Sequence, residues 1–164
     1  MTQPRASSAI VVGVNSSDAS RVAIEQAARE ADLRHAPLIA VRAYSGERTT
    51  AAQPVPAGMA AAAELPPAEP TPEQTAEDAR LETESLLRDV VREVLGDRAE
   101  AVEVRAVLGL AGRKIVETAH KVNAQLIVLA THGSRSMLLG TVSQYVLRKA
   151  PCPVLIVPAW PVAP

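Results

Sequence analysis

Short apolar runs rich in β-branched residues recur along this chain with room for one helix between each pair, and that alternation constrains the fold more than any other feature. Residues 9–14 (Ala-Ile-Val-Val-Gly-Val) and 125–130 suit strands buried on both faces of a parallel sheet, and residues 38–44 and 154–157 read as two further strands. Residues 102–107 (Val-Glu-Val-Arg-Ala-Val) alternate apolar with polar, as a strand near a sheet edge does. Between these runs the apolar period changes to that of a helix. Ile24, Ala27, Ala28 and Ala31 define one face, Leu87, Val90, Val91 and Val94 a second, and Ile115, Val116 and Ala119 a third. A last short helix starts at Gly140-Thr141 and ends with Arg148-Lys149 before Pro151. Five strands alternating with four helices predict a doubly wound α/β fold whose first crossover is right-handed.

The helix boundaries carry their own signals. Asn15-Ser-Ser-Asp18 offers several N-cap candidates, and the first helix is expected to end near residues 35–37. Thr71, Pro72 and Gln74 form a capping box with proline at the first helical position, and Gly96 suits the left-handed stop of that helix. Thr141 and Gln144 predict a second capping box, and residues 131–139 read as a polar loop. Residues 45–72 change character, with Pro54, Pro56, Pro66, Pro67, Pro70 and Pro72 set among alanines, and read as a flexible Pro/Ala-rich insertion. With that insertion and a tail at 158–164, the whole of 1–164 reads as one domain.

Charge and composition exclude several classes of partner. Seventeen Lys+Arg against eighteen Asp+Glu leave a net charge of -1, so no global field steers the protein to nucleic acid or to an anionic membrane. The aromatics, Tyr44, Tyr145 and Trp160, are too few to stack bases. A lone cysteine, Cys152, forms no internal disulfide and reads as a small buried hydrophobe; with no signal peptide or membrane span legible, a cytoplasmic address is expected.

In a doubly wound sheet, ligands bind outside the carboxyl ends of the strands, which here means residues 13–17, 41–44, 109–114 and 130–143. No Gly-x-Gly-x-x-Gly, no P-loop and no acidic pair for Mg²⁺ follows the first strand. Gly140-Thr141 at a helix start presents free amides and a hydroxyl, a phosphate recipe that Gly133 and Arg135 can supplement, although such a pair more often serves only as a cap. His132 is a base candidate on that loop, but an exposed or locally bonded histidine is commoner; Ser16, Ser17, Ser134, Ser136 and Ser143 are equally explained by turns and caps. No catalytic residue and no metal cage can be assigned. Enzyme activity, at most a slow ATPase, therefore has the least support.

Val11-Val-Gly-Val-Asn-Ser-Ser-x-x-Ser-Arg21, the strand ending at Tyr44, the helix start at Gly112-Arg-Lys-Ile-Val116, Thr131-His-Gly133, Leu138-Leu-Gly-Thr-Val142 and Leu147-x-x-Ala-Pro-Cys-Pro-Val-Leu-Ile-Val157 together resemble the universal stress protein family. The resemblance covers nearly the whole chain outside the Pro/Ala-rich insertion. It implies a five-stranded parallel sheet in the order 3-2-1-4-5, with helices on both faces, and a homodimer formed by pairing the last strand. Val154, Leu155, Ile156 and Val157 fit that role, because an exposed apolar edge strand is a liability that two-fold pairing removes.

Members of this family divide into ATP binders and non-binders. By resemblance, Gly13, Val14, Asn15, Val41, Ala130, His132, Gly133, Gly140, Thr141, Val142 and Ser143 occupy the nucleotide-site positions, with Mg²⁺ accompanying ATP. The chain departs from the binders' pattern at three places. Asn15 stands for an Asp, Ala130 for a Gly, and only six residues separate Gly133 from Gly140, fewer than the pattern has. Two readings therefore stand beside each other: a dimeric ATP-binding switch with its site at the ends of strands one and four, and a nucleotide-independent module that binds a protein partner.

Overall fold

The computed structural model describes residues 8–45, 71–132 and 140–159. The expectations placed on the Pro/Ala-rich insertion, on Gly133 and Arg135, and on Trp160 lie outside the described residues. Chain order runs β1 (Ile10–Gly13), α1 (Ala19–Arg34), β2 (Leu38–Tyr44), α2 (Pro72–Leu95), a 3-10 turn (Gly96–Ala101), β3 (Val102–Leu108), α3 (Ala111–Lys121), β4 (Leu126–His132), α4 (Thr141–Lys149) and β5 (Val154–Ala159). The five strands form one parallel sheet in the order β3-β2-β1-β4-β5.

The most apolar run lies at the centre because only there are both faces covered. All of β1 is buried, with Ile10 in register with Leu38 of β2 on one side and Leu126 of β4 on the other. Its side chains alternate between two cores. Ile10 and Val12 join Ile24, Leu87, Val91 and Val128 under α1 and α2, and Val11 joins Val41, Ile115, Ile127 and Val146 under α3 and α4. Each such side chain contributes about 1.5–3 kcal/mol by leaving water. The inner face of α1 is mostly alanine (Ala23, Ala27, Ala28, Ala31), which lets that helix lie close to the sheet.

Helix ends follow the expected chemistry in two cases. The Thr71 hydroxyl accepts from the Gln74 amide at 3.3 Å while Gln74 Oε1 accepts from the Thr71 amide at 2.9 Å, completing the first capping box. Gly96 closes α2 at φ 57, and His35 closes α1 in the left-handed region at φ 50, with the Ala36 amide donating to the Ala31 carbonyl. The second capping box is not formed. Gly140, which has no side chain to cap with, takes the cap position of α4, and Thr141 is the first helical residue.

Two further boundaries move. Thr131 and His132 belong to β4 rather than to a loop, because the partner strand β5 continues beyond Val157 and pairs Thr131 with Pro158 and His132 with Ala159. A proline is tolerated in β5 because it is an edge strand. Among the described residues no helix is long and apolar enough to cross a membrane.

Candidate functional site

The sheet reverses its winding between β1 and β4: the chain leaves β1 toward β2 on one side, and leaves β4 toward β5 on the other. The carboxyl ends of these two strands diverge there, opening a cleft of about 270 Å³. Gly13 and Val14 form one wall, Leu129, Ala130 and Thr131 another, and the first turn of α4 a third. Gly13 has a steric reason to be glycine. A methyl group there would stand 2.6 Å from Leu129 Cδ2 and 2.7 Å from Ile115 Cδ1.

Asn15 organises the turn from β1 into α1. Its Oδ1 accepts from the Ser17 amide at 2.9 Å, from the Ser17 hydroxyl at 2.5 Å and from the Ser20 hydroxyl at 2.8 Å, while its own amide donates to Ser20 Oγ at 2.8 Å. Because the Ser17 amide can only donate, the oxygen of the Asn15 side chain must face it. The side-chain NH₂ is therefore the group left for a ligand. Asp18, the formal cap of α1, makes no side-chain cap bond and is fully exposed beside Arg21.

At the opposite wall the amides of Thr141, Val142 and Ser143 belong to the first turn of α4 and have no acceptor within the helix. Ser143 is only 6 % exposed, yet its hydroxyl makes no hydrogen bond among the described residues. No fully enclosed side-chain polar atom in the described residues lacks a partner, so this hydroxyl must reach open space, and the cleft that Ser143 lines is that space. Among the described residues nothing lies within 4 Å of where a Gly140 Cβ would stand.

Of the residues the sequence singled out, the cleft gathers Gly13, Val14, Asn15, Ala130, Gly140, Thr141, Val142 and Ser143. Val41 is not among its lining. It is buried beneath α3, in register with Gly13, and its carbonyl accepts from the Val14 amide at 2.9 Å. His132 is the last residue of β4, and Gly133 lies outside the described residues. Ser20, Ile115 and Leu129 also line the cleft and were missed, while Ala111 and Thr131 line it from the segments 109–114 and 130–143 that the sequence placed at the ligand end. Ser20 could have been found from its place in the Asn-Ser-Ser-x-x-Ser stretch; Ile115 and Leu129 have no signal beyond apolarity or position. The segment 109–114 brings no free cation, because Lys114 and Arg113 both pair with Glu117, at 2.7 and 3.0 Å. Those bonds, with Lys114 foremost, hold the Glu117 carboxyl below the usual carboxylate range.

The chemistry of the lining is uniform. Among the described residues it carries amide and hydroxyl donors over an apolar floor and no charged side chain. Among the described residues no group of three or more His, Cys, Asp or Glu is placed to hold a metal ion. Such a site suits an anionic oxygen at the α4 end and a neutral polar body at the Asn15 end.

Residues 7–158 match the model of the universal stress protein family. The chain belongs to that family. A universal stress protein of Mycobacterium tuberculosis is 33% identical over 161 residues, which are 96% of this chain and 50% of that protein, so the chain spans about half the length of the curated relatives it matches. A solved universal stress protein in complex with cAMP is 26% identical, with a TM-score of 0.57, and the match covers 93% of this chain and 97% of that one. The universal stress protein of Archaeoglobus fulgidus in complex with dAMP is 25% identical with a TM-score of 0.55, over 92% of this chain and 97% of that one. The strand order of this universal stress protein is the one the resemblance implied.

Proposed function

We propose that this universal stress protein is a dimeric stress-response switch that binds an adenine nucleotide, ATP by family resemblance, in the cleft between β1 and β4. The reading rests above all on Ser143, whose buried hydroxyl has no partner among the described residues and lies beside the open amides of the α4 first turn. Gly140, Thr141, Val142 and Ser143 take the phosphate, Ala130 lies beneath it, and Gly13, Val14 and Asn15 hold the nucleoside. His132 and Gly133 belong to the same proposed site by family resemblance. The nucleotides in the two related complexes, cAMP and dAMP, support the same ligand class. Among the described residues no side chain in the lining is placed as a general base, which supports occupancy rather than turnover as the output. The dimer forms through the β5 edge, and the protein acts in the cytoplasm.

Calorimetric titration with ATP tests this, on the native chain and on Gly140→Asp. An aspartate at the cap position stabilises a helix start, so the variant keeps its fold while placing bulk and negative charge where the phosphate sits. Saturable heat that disappears in the variant is expected, with an unchanged or higher Tm. No heat and no thermal shift at millimolar ATP would overturn the reading. A second reading, a nucleotide-independent module for a protein partner, is favoured by Asn15, whose oxygen is spent on Ser17 and Ser20, and by the methyl of Ala130 in the cleft wall.

A further inference from the structure

Resting on the nucleotide reading, we infer that the cleft binds its nucleotide without a divalent cation, and that Asn15 decides this. Mg²⁺ requires hard anionic or strongly polar oxygens, usually a carboxylate beside the substrate phosphates. Among the described residues the lining offers no carboxylate. The one side-chain carbonyl at the end of β1, Asn15 Oδ1, already accepts from the Ser17 amide, the Ser17 hydroxyl and the Ser20 hydroxyl, and so has no lone pair to give a metal. Asp18, the nearest acid along the chain, has a fully exposed side chain and is 3.6 Å from Arg21, outside the cleft lining. The next acid to face α1, Glu93 of α2, is held by Arg21 at 2.7 Å, which keeps its carboxyl below the usual range.

The groups that do face the cleft select against a cation. The α4 amides form the positive end of a helix dipole, and the side-chain NH₂ of Asn15 is a donor. The Ser143 hydroxyl, unpaired among the described residues and opening on the same space, can donate to a phosphate oxygen directly. A metal ion placed among these donors meets the positive ends of dipoles, and it occupies the phosphate oxygens that the donors would otherwise bind. The nucleotide therefore binds through bare phosphate oxygens, and chelation by Mg²⁺ competes with the protein.

Titration of the full chain with ATP in EDTA and again in excess Mg²⁺ tests this, with AMP under both conditions as a ligand that binds Mg²⁺ weakly. ATP is expected to bind at least as tightly in EDTA as in Mg²⁺, and AMP equally in both. Asn15→Asp keeps the acceptor for Ser17 and Ser20 while adding a charge, so it is expected to weaken ATP binding in EDTA about tenfold and to regain it in Mg²⁺. Binding of ATP by the native chain that requires Mg²⁺ overturns the inference and leaves the nucleotide reading intact. No binding of either nucleotide under either condition overturns both. An Asn15→Asp chain indifferent to Mg²⁺ removes Asn15 from the deciding role and overturns the inference as stated.

Discussion

Asn15 and Ser20 exchange two hydrogen bonds across the turn that joins β1 to α1, the Asn15 amide donating to Ser20 Oγ and the Ser20 hydroxyl returning a bond to Asn15 Oδ1, each at 2.8 Å. The pair fixes the direction in which the chain leaves the sheet, and with it one wall of the cleft. Ser20 is buried, so neither bond is readily replaced by water. The two residues also explain how a neutral side chain serves at the end of β1. The turn needs an acceptor oxygen there, and an amide supplies it as well as a carboxylate would.

Ser20→Ala removes both bonds and leaves the Asn15 amide without its acceptor. A loss of about 1–2 kcal/mol is expected. In a domain of this size that lowers Tm by roughly 2–8 °C, measurable by calorimetry. An unchanged Tm would mean that the bonds from Ser17 hold the turn unaided.

The β5 edge carries the proposed dimer. Leu155 packs toward the core under α1 and α2 and Ile156 toward the core under α3 and α4, so the two test opposite faces of one strand. Leu155→Asp and Ile156→Asp are each expected to give monomer or aggregate by light scattering. A dimer mass preserved in both would place the interface elsewhere. If only one variant lost the dimer, a single face of the strand would be responsible rather than its backbone edge.

Cys152 lies between Pro151 and Pro153 at the start of β5, partly buried, and that burial pushes its thiol pKa up. The folded state thus favours the neutral thiol. The associated stabilisation is present at neutral pH and is lost as pH rises through the raised value. Reaction with a thiol reagent is expected to be slow near pH 7, to accelerate only above the ordinary thiol range, and to become fast once the chain is unfolded. Rapid modification of the native protein at neutral pH would contradict this environment for the side chain.

Which parts of the fold could be read in advance depended on how local their causes are. The runs that became β1, β2 and β4 are apolar on both faces because both faces are covered, and that shows in composition alone. Thr71 and Gln74 bond to each other across three residues, so their capping box is a property of the segment. Thr141 and Gln144 have the same spacing, yet there the helix begins one residue earlier than the motif implies, at Thr141 itself, with Gly140 at the cap. The spacing cannot say which residue starts a helix when the preceding one is a glycine free to take extended backbone. The extension of β4 to His132 was hidden for a related reason, since it depends on pairing with Pro158 and Ala159 of another strand.

For the site, the sequence by itself determined the donors: the Gly-Thr-Val-Ser start of α4, the Asn15 turn and a glycine at the end of β1, all within short segments. Only the tertiary structure decided their relation. It buried Val41 beneath α3, brought Ile115 and Leu129 against Gly13, and turned the Ser143 hydroxyl, unpaired among the described residues, onto the cleft. The physical reason is that a donor's identity is set by its side chain and its place in a helix turn. Whether it faces a ligand or a core is set by strands and helices that meet from distant parts of the chain, and no local pattern encodes that meeting.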